Sequence, residues 1–343
     1  MSPERSRQRL KQMIECVNMN IWQKIVKKKR PFFVLAPMAD VTDSPFRQII
    51  SACGTPDLFY TEFISADGLA SAGYDRLIRH LKFSKKEKPI IAQFFSSNPE
   101  NIYKAAKLAV KLGFDGVDIN MGCPDKKIIK SGGGAALIKN FELAKEIILA
   151  TKRGAGKLPV SVKTRIGYSQ IITEAWIGNI IKARPDAIIV HGRTMKEMSK
   201  VSCHWDEIAK AAKLIKKAGI VAIGNGDVLS IDEGTEKAKK YSLDGIMIGR
   251  GIFQNPWVFN KKIDPNDIKP KDRIGLALRH IKLFKKFWGN DRNYDNLKKF
   301  YKIYISGWPG AKELRTRLMN TKNLAEAIKV TKPSHIESSS LGD

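Results

Sequence analysis

The chain has 343 residues, 43% of them hydrophobic, which is enough for one large domain with its own core and a smaller second one. No apolar run approaches the length of a bilayer crossing, and the charged N-terminal stretch lacks the make-up of a signal peptide, so a cytoplasmic protein without membrane contact is expected. The four cysteines, Cys16, Cys53, Cys123 and Cys203, lie too far apart for a paired zinc site or a disulfide scaffold and fit a reducing compartment.

The formal net charge of +27 is unevenly placed. Residues 1–31 hold nine Lys/Arg against two Asp/Glu, and residues 261–332 hold nineteen against seven. The segment between them is more than twice as long as both together yet carries a net charge of only +10. Charge gathered on the flanks favours a polyanionic partner, of which nucleic acid is the commonest; an acidic membrane surface is the alternative.

Residues 1–29 place Leu10, Met13, Ile14 and Val17 at helical spacing ahead of a basic run, and read as an N-terminal helix or arm, with Met19 as a possible second start. A rhythm follows. Short apolar runs at 32–36, 58–61, 90–94, 116–120, 160–164, 187–191, 221–224 and 245–248 alternate with amphipathic stretches such as 99–112 and 141–152. Continuous apolar runs are what strands buried on both faces look like. Eight strand–helix units in about 230 residues match a (β/α)₈ TIM barrel. An open doubly wound sheet is the competing architecture, but after the first run stands Ala36-Pro37-Met38, not its glycine fingerprint.

Chemistry in such barrels sits at the C-terminal strand ends. Those ends carry Met38, Glu62, Gln93, Asn120 with Cys123, Lys163, His191, Asn225 with Asp227, and Arg250. A lone cysteine or histidine is more often structural, but eight ends converging on one mouth make a pocket the better explanation. Pro124 ends the fourth strand and leaves Cys123 on a loop, followed by the glycines of 131–135. After the seventh and eighth runs, Gly224-Asn225-Gly226-Asp227 and Gly249-Arg250-Gly251 suit a phosphorylated ligand approaching backbone N–H groups. Lys163, across the barrel, places a cation where negative charge on a bound ring would need it.

The rhythm stops after Trp257. Residues 261–271 read as a linker, 273–288 as a helix, 297–305 as basic and aromatic residues interleaved, and 323–330 as another helix. This second, all-α domain is expected to bury its aromatics and keep its lysines for a polyanion. The polar tail, 333–343, is expected to be disordered. The organisation is therefore a basic extension (1–31), a barrel (32–260), a helical domain (261–332) and a tail (333–343).

These residues resemble the tRNA-dihydrouridine synthases. Ala36-Pro37-Met38-Ala39 with Val41-Thr42-Asp43 is similar to that family's opening motif, and Asn120-Met121-Gly122-Cys123-Pro124 to its signature around a catalytic cysteine. Residues 161–165, His191-Gly192-Arg193-Thr194, the two glycine loops and 304–315 resemble further motifs in the same order. The resemblance implies an FMN enzyme that reduces a uridine of tRNA to 5,6-dihydrouridine with NADPH or NADH as reductant. It implies FMN contacts from Pro37, Met38, Ala39, Gln93, Lys163, Asn225, Gly226, Asp227, Gly249 and Arg250, with His191 beside the flavin. It also implies Cys123 as proton donor and Asn120 against the uracil. The family's basic and tyrosine-bearing loop before Trp205 is replaced by residues 195–204, so no substrate contact is carried over there; Cys203 and His204 lack the spacing of a metal site, and none is expected. A monomer without protein partners is expected. Two other readings stay open: a barrel flavoenzyme acting on a free pyrimidine, and an RNA-binding protein without catalysis.

Overall fold

The computed structural model describes residues 19–28 and 30–331; the expectations for Leu10 to Val17 and for the tail lie outside them. Among the described residues there are eight strands: β1 Phe32–Leu35, β2 Phe59–Ser65, β3 Ile90–Phe95, β4 Gly116–Met121, β5 Val160–Arg165, β6 Ala187–His191, β7 Val221–Asn225 and β8 Gly245–Ile248. They pair in parallel in the order β1-β8-β7-β6-β5-β4-β3-β2. The ends of this sheet meet through a Val34–Leu58 bridge and the bond from Asp57 N to Phe33 O at 2.8 Å, which closes the barrel.

Alternation along the strands sorts side chains into two sets. Phe33, Leu35, Val117, Ile119, Val160 and Val162 face the surrounding helices in one large apolar cluster. Phe32, Val34, Tyr60, Ile91, Ile189, Ile223 and Met247 fill the barrel interior in a second. Trp22 and Ile25, from the helix Ile21–Val26, join the inner cluster, with the Trp22 and Phe32 rings 6.0 Å apart. Asn20, at the head of that helix, donates to Asp186 just ahead of β6 at 2.9 Å. This end of the basic extension is thus a plug for the N-terminal floor of the barrel.

β2 runs past the expected end, and its pairing with β3 shifts between Tyr60 and Phe63. Glu62 therefore lies mid-strand at the irregularity, and not at a strand tip. It stays there because its carboxylate is satisfied: it accepts from Asp40 N at 2.6 Å and bonds His80 Nδ1 at 2.9 Å.

The helix Pro270–Trp288 starts earlier than its apolar spacing suggested, with a proline in its first turn, where a missing N–H costs nothing. Two short turns, Asp295–Lys298 and Tyr301–Tyr304, replace the continuous stretch at 297–305. Ala311–Met319 and Leu324–Val330 complete the region. Its aromatics Phe284, Trp288, Phe300, Tyr301 and Tyr304 are buried, while Lys282, Lys285, Lys286 and Lys302 are exposed. Phe300 lies 4.9 Å from Phe46 of the barrel helix Ser44–Cys53, so these helices share the barrel's outer apolar cluster.

Candidate active site

The C-terminal mouth of the barrel opens into a cavity of ≈ 680 Å³ lined by residues from β1, β5, β6, β7, β8 and their loops. Of the residues singled out from the sequence, Pro37, Met38, Lys163, His191, Asn225, Gly226, Asp227, Gly249 and Arg250 line it. Inward phase explains the strand members. Asn120 pairs with Lys163 across β4 and β5, and His191 pairs with Asn225 across β6 and β7. Met38 is fixed by the turn after Pro37, where Thr42 Oγ1 accepts from Met38 N at 2.9 Å. Asn225 donates to Met247 O at 2.8 Å, tying β7 to β8 at the rim. Ala39 lies outside the cavity lining, exposed on the β1 loop.

Four cations surround the cavity: Lys163, Arg165, Arg193 and Arg250. Burial, then the Arg165 charge, push the Lys163 ammonium down to about 8. Burial, with these same cations around it, holds His191 well below its usual value, so the imidazole is neutral at physiological pH. Among the described residues, the one carboxylate lining the cavity is that of Asp227, which pairs with Arg193 and, at 3.4 Å, with Arg250. A cavity with this excess of fixed positive charge favours an anion. Gly226 sits beside it at φ +140, and a Cβ there would collide with Cys203 Sγ, so the chain at this loop stays thin enough for a ligand to approach its backbone.

Arg165 and Arg193 were not singled out from the sequence. Arg165 Nε donates to Gly122 O at 2.7 Å, and its Nη1 donates to Thr194 O and Met198 O, binding the cysteine loop to the loop over 195–204. Arg193 Nε donates to Val201 O at 2.7 Å. The signal for Arg165 was present, since it stands two residues beyond Lys163 and shares its inward phase. The atypical loop is held from within as well: Glu197 accepts from Thr194 N at 2.7 Å and pairs with His204 Nε2 at 3.0 Å. It brings Met198 and Ser199 to the cavity.

Cys123 is 8% exposed and lies just behind the lining, with Pro124 in it. Its sulfur takes an N–H from Asp125 and feels the charges of Arg165 and Lys163. Burial, joined by the Asp125 carboxylate, outweighs these and raises its pKa, so the thiol stays protonated at neutral pH. The turn that presents it is built by Asn120, whose Oδ1 accepts from Gly122 N at 3.0 Å and Cys123 N at 2.9 Å. Asn120 Nδ2 donates to Gln93 Oε1 at 3.0 Å, which leaves one amide hydrogen of Asn120 for a ligand. Gln93 and Asn120 are thus brought together below Cys123, deeper than the cavity lining.

Among solved structures the chain resembles histamine dehydrogenase from Rhizobium sp. 4-9, with a TM-score of 0.53 at 12% identity over 73% of this chain and 48% of that one; the likeness is one of fold. Barrel and mouth together define a (β/α)₈-barrel protein whose C-terminal face carries an excess of positive charge. The profile of the dihydrouridine synthase (Dus) family matches residues 34–339. A probable tRNA-dihydrouridine synthase of Staphylococcus aureus (strain COL) is 41% identical over 314 residues, covering 90% of this chain and 93% of that protein. Probable tRNA-dihydrouridine synthase 2 of Bacillus subtilis (strain 168) is 41% identical over 313 residues, with 90% and 94% covered. The chain belongs to the dihydrouridine synthase family and is an oxidoreductase.

Proposed function

We propose that this protein binds FMN at the barrel mouth and reduces a uridine of tRNA to 5,6-dihydrouridine, with NADPH or NADH as the source of electrons. The observation that carries the reading is a protonated, loop-borne thiol set behind a cavity with four cations and two glycine-bearing rims. The residues fit the cofactor. Arg250 with the loops at Gly226 and Gly249 suits its phosphate, and Lys163 suits negative charge on its ring. Pro37, Met38, Asn225 and Asp227 would complete the cradle, with neutral His191 alongside, while Ala39, exposed on the β1 loop, and Gln93, buried below Asn120, lie outside it. Reduced FMN, when bound, supplies hydride from its N5 to C6 of uracil.

The chain's own part is binding and proton delivery. As hydride arrives at C6, negative charge develops at C5 and its conjugated carbonyl, and Cys123 gives its proton to C5. A buried thiol is a competent acid here because it is protonated at pH 7, and the thiolate left behind meets the Asp125 N–H with Arg165 and Lys163 nearby. The free amide hydrogen of Asn120 suits a uracil carbonyl. A base must leave its stack to reach this depth, and the exposed lysines of the C-terminal helices and the basic flanks supply a grip on phosphates for that. The deciding experiment is Cys123→Ala assayed with tRNA: dihydrouridine formation falls by at least about a hundredfold while RNA affinity is kept. Unchanged turnover would remove the acid assignment.

A further inference from the structure

Beneath Cys123 lies a chain of buried polar groups in which every hydrogen bond is directed toward one carboxylate, that of Asp118. Backbone N–H groups only donate, so those of Gly122 and Cys123 fix Asn120 Oδ1 as their acceptor. Asn120 Nδ2 must then face away, and it donates to Gln93 Oε1 at 3.0 Å. That turns Gln93 Nε2 to Asp118 Oδ2, at 2.6 Å. The other carboxylate oxygen accepts from Ser161 Oγ. Gln93, Asp118 and Ser161 have no exposure to solvent, and Asn120 is 6% exposed. Solvent does not reach Gln93, Asp118 or Ser161 to repair a mismatched pair there.

We propose that Asp118 is a positioning residue for Cys123: as a group that accepts at both of its ends, it sets the direction of the amides of Gln93 and Asn120, and so holds the turn that presents the thiol. A buried carboxylate under an apolar barrel needs such a reason. Its surroundings are Gln93 from β3, Ser161 and Lys163 from β5 and Tyr60 from β2. Burial pushes the carboxyl up to about 7, while the donors Ser161 and Gln93 and the Lys163 charge act against burial. The catalytic meaning of this chain rests on the proposed role of Cys123; its existence as a directed chain does not.

Direction can be tested by reversing it. In N120D one oxygen still serves the two N–H groups, but the other faces Gln93 Oε1. If Gln93 turns over, its oxygen meets the Asp118 carboxylate, so two acceptors face each other wherever the mismatch is moved. Adding D118N supplies the missing hydrogen. The amide at 118 donates to Gln93, Gln93 donates to the carboxylate at 120, and Ser161 still donates at the far end. D118N alone is tolerated, because its amide can accept from Gln93 and donate to Ser161 Oγ.

The measurements are urea unfolding of the full chain near pH 9, where the Asp118 carboxyl is ionised, and iodoacetamide labelling of Cys123 read by peptide mass spectrometry. N120D is expected to lower the folding equilibrium constant at least about tenfold and to speed Cys123 labelling; D118N/N120D returns both to within about threefold of the wild type. Toward pH 5 the deficit of N120D shrinks, since a protonated Asp118 donates to Gln93, while the double variant stays flat. If N120D does not fold, Q93E with and without D118N poses the same question, with two carboxylates face to face in the first and a donor supplied in the second. A double variant no better than the sum of its singles overturns the proposal. Rescue in the variants with no dihydrouridine formation by the wild type leaves the directed chain standing and removes the proposed function; dihydrouridine formation by the wild type without rescue in the variants does the reverse.

Discussion

Replacing Arg292 with Met removes the cation on which three carboxylates converge. Arg292 lies 2.7 Å from Asp40, 3.0 Å from Asp43 and 3.7 Å from Glu62, with its side chain only 8% exposed and its guanidinium 4.9 Å above the Trp288 ring. It joins the C-terminal helices to the β1 loop that carries Met38. Breaking a buried pair by removing one partner costs about 3–5 kcal/mol, because the remaining charge is left uncompensated. The lower end, about 3 kcal/mol, applies here, since Asp40 is solvated and His80 still serves Glu62. The pH dependence has a definite sign. Burial and the neighbouring Glu62 push the Asp43 carboxyl up to about 6, so in the wild type this group's contribution falls as pH rises from the ordinary carboxylate range through about 6. For Glu62 burial acts upward but is outweighed by His80, Arg292 and the Asp40 N–H, which leaves it below its ordinary value. Without Arg292 both carboxyls move up, and at lower pH they take protons and shed the unpaired charge. Urea unfolding should therefore show the full deficit near pH 8 and a deficit of about 1 kcal/mol near pH 5. An equal loss at both pH values, or a loss below about 1 kcal/mol near pH 8, would refute the view of Arg292 as the counter-ion of this cluster.

Burial lowers the Lys163 ammonium to about 8, so its charge is present below that pH and lost above it. Flavin affinity, followed by fluorescence quenching, should weaken by about tenfold between pH 7 and 9, and K163M should bind weakly with little change over that range. In G226A the φ of +140 is unfavourable for a side chain and the added Cβ strikes Cys203, so FMN affinity should fall by at least about tenfold with the barrel still folded by circular dichroism. RNA binding measured by filter retention should weaken by at least about tenfold between roughly 50 and 200 mM salt, because phosphate contacts release counterions; a flat response would separate the charge of the flanks from RNA.

Much of the site follows from local rules written into short stretches of sequence. Alternation with a period of two sends Gln93, Asn120, Lys163, His191 and Asn225 inward on five strands, and those residue types at strand ends already mark the mouth. Pro37 and Pro124 cannot donate, so β1 and β4 are over by those points, which leaves Met38 and Cys123 on turns. Arg165 and Asp118 share the inward phase of Lys163 and Asn120 and were within reach of the same reasoning. What lay beyond it were partners distant in the chain. Arg292 meets Asp40 252 residues away, and Asn20 meets Asp186 166 residues away. Those distances close only when the barrel curls and the C-terminal helices dock on Ser44–Cys53. Residues 1–29 read as an N-terminal helix or arm ahead of a basic run, yet Trp22 and Ile25 within them enter the barrel floor, the apolar surface that only closure creates. The direction of the bonds below Cys123 was likewise fixed by tertiary structure, since Asn120 can donate or accept equally well until two backbone N–H groups and one buried carboxylate hold the two ends of its chain.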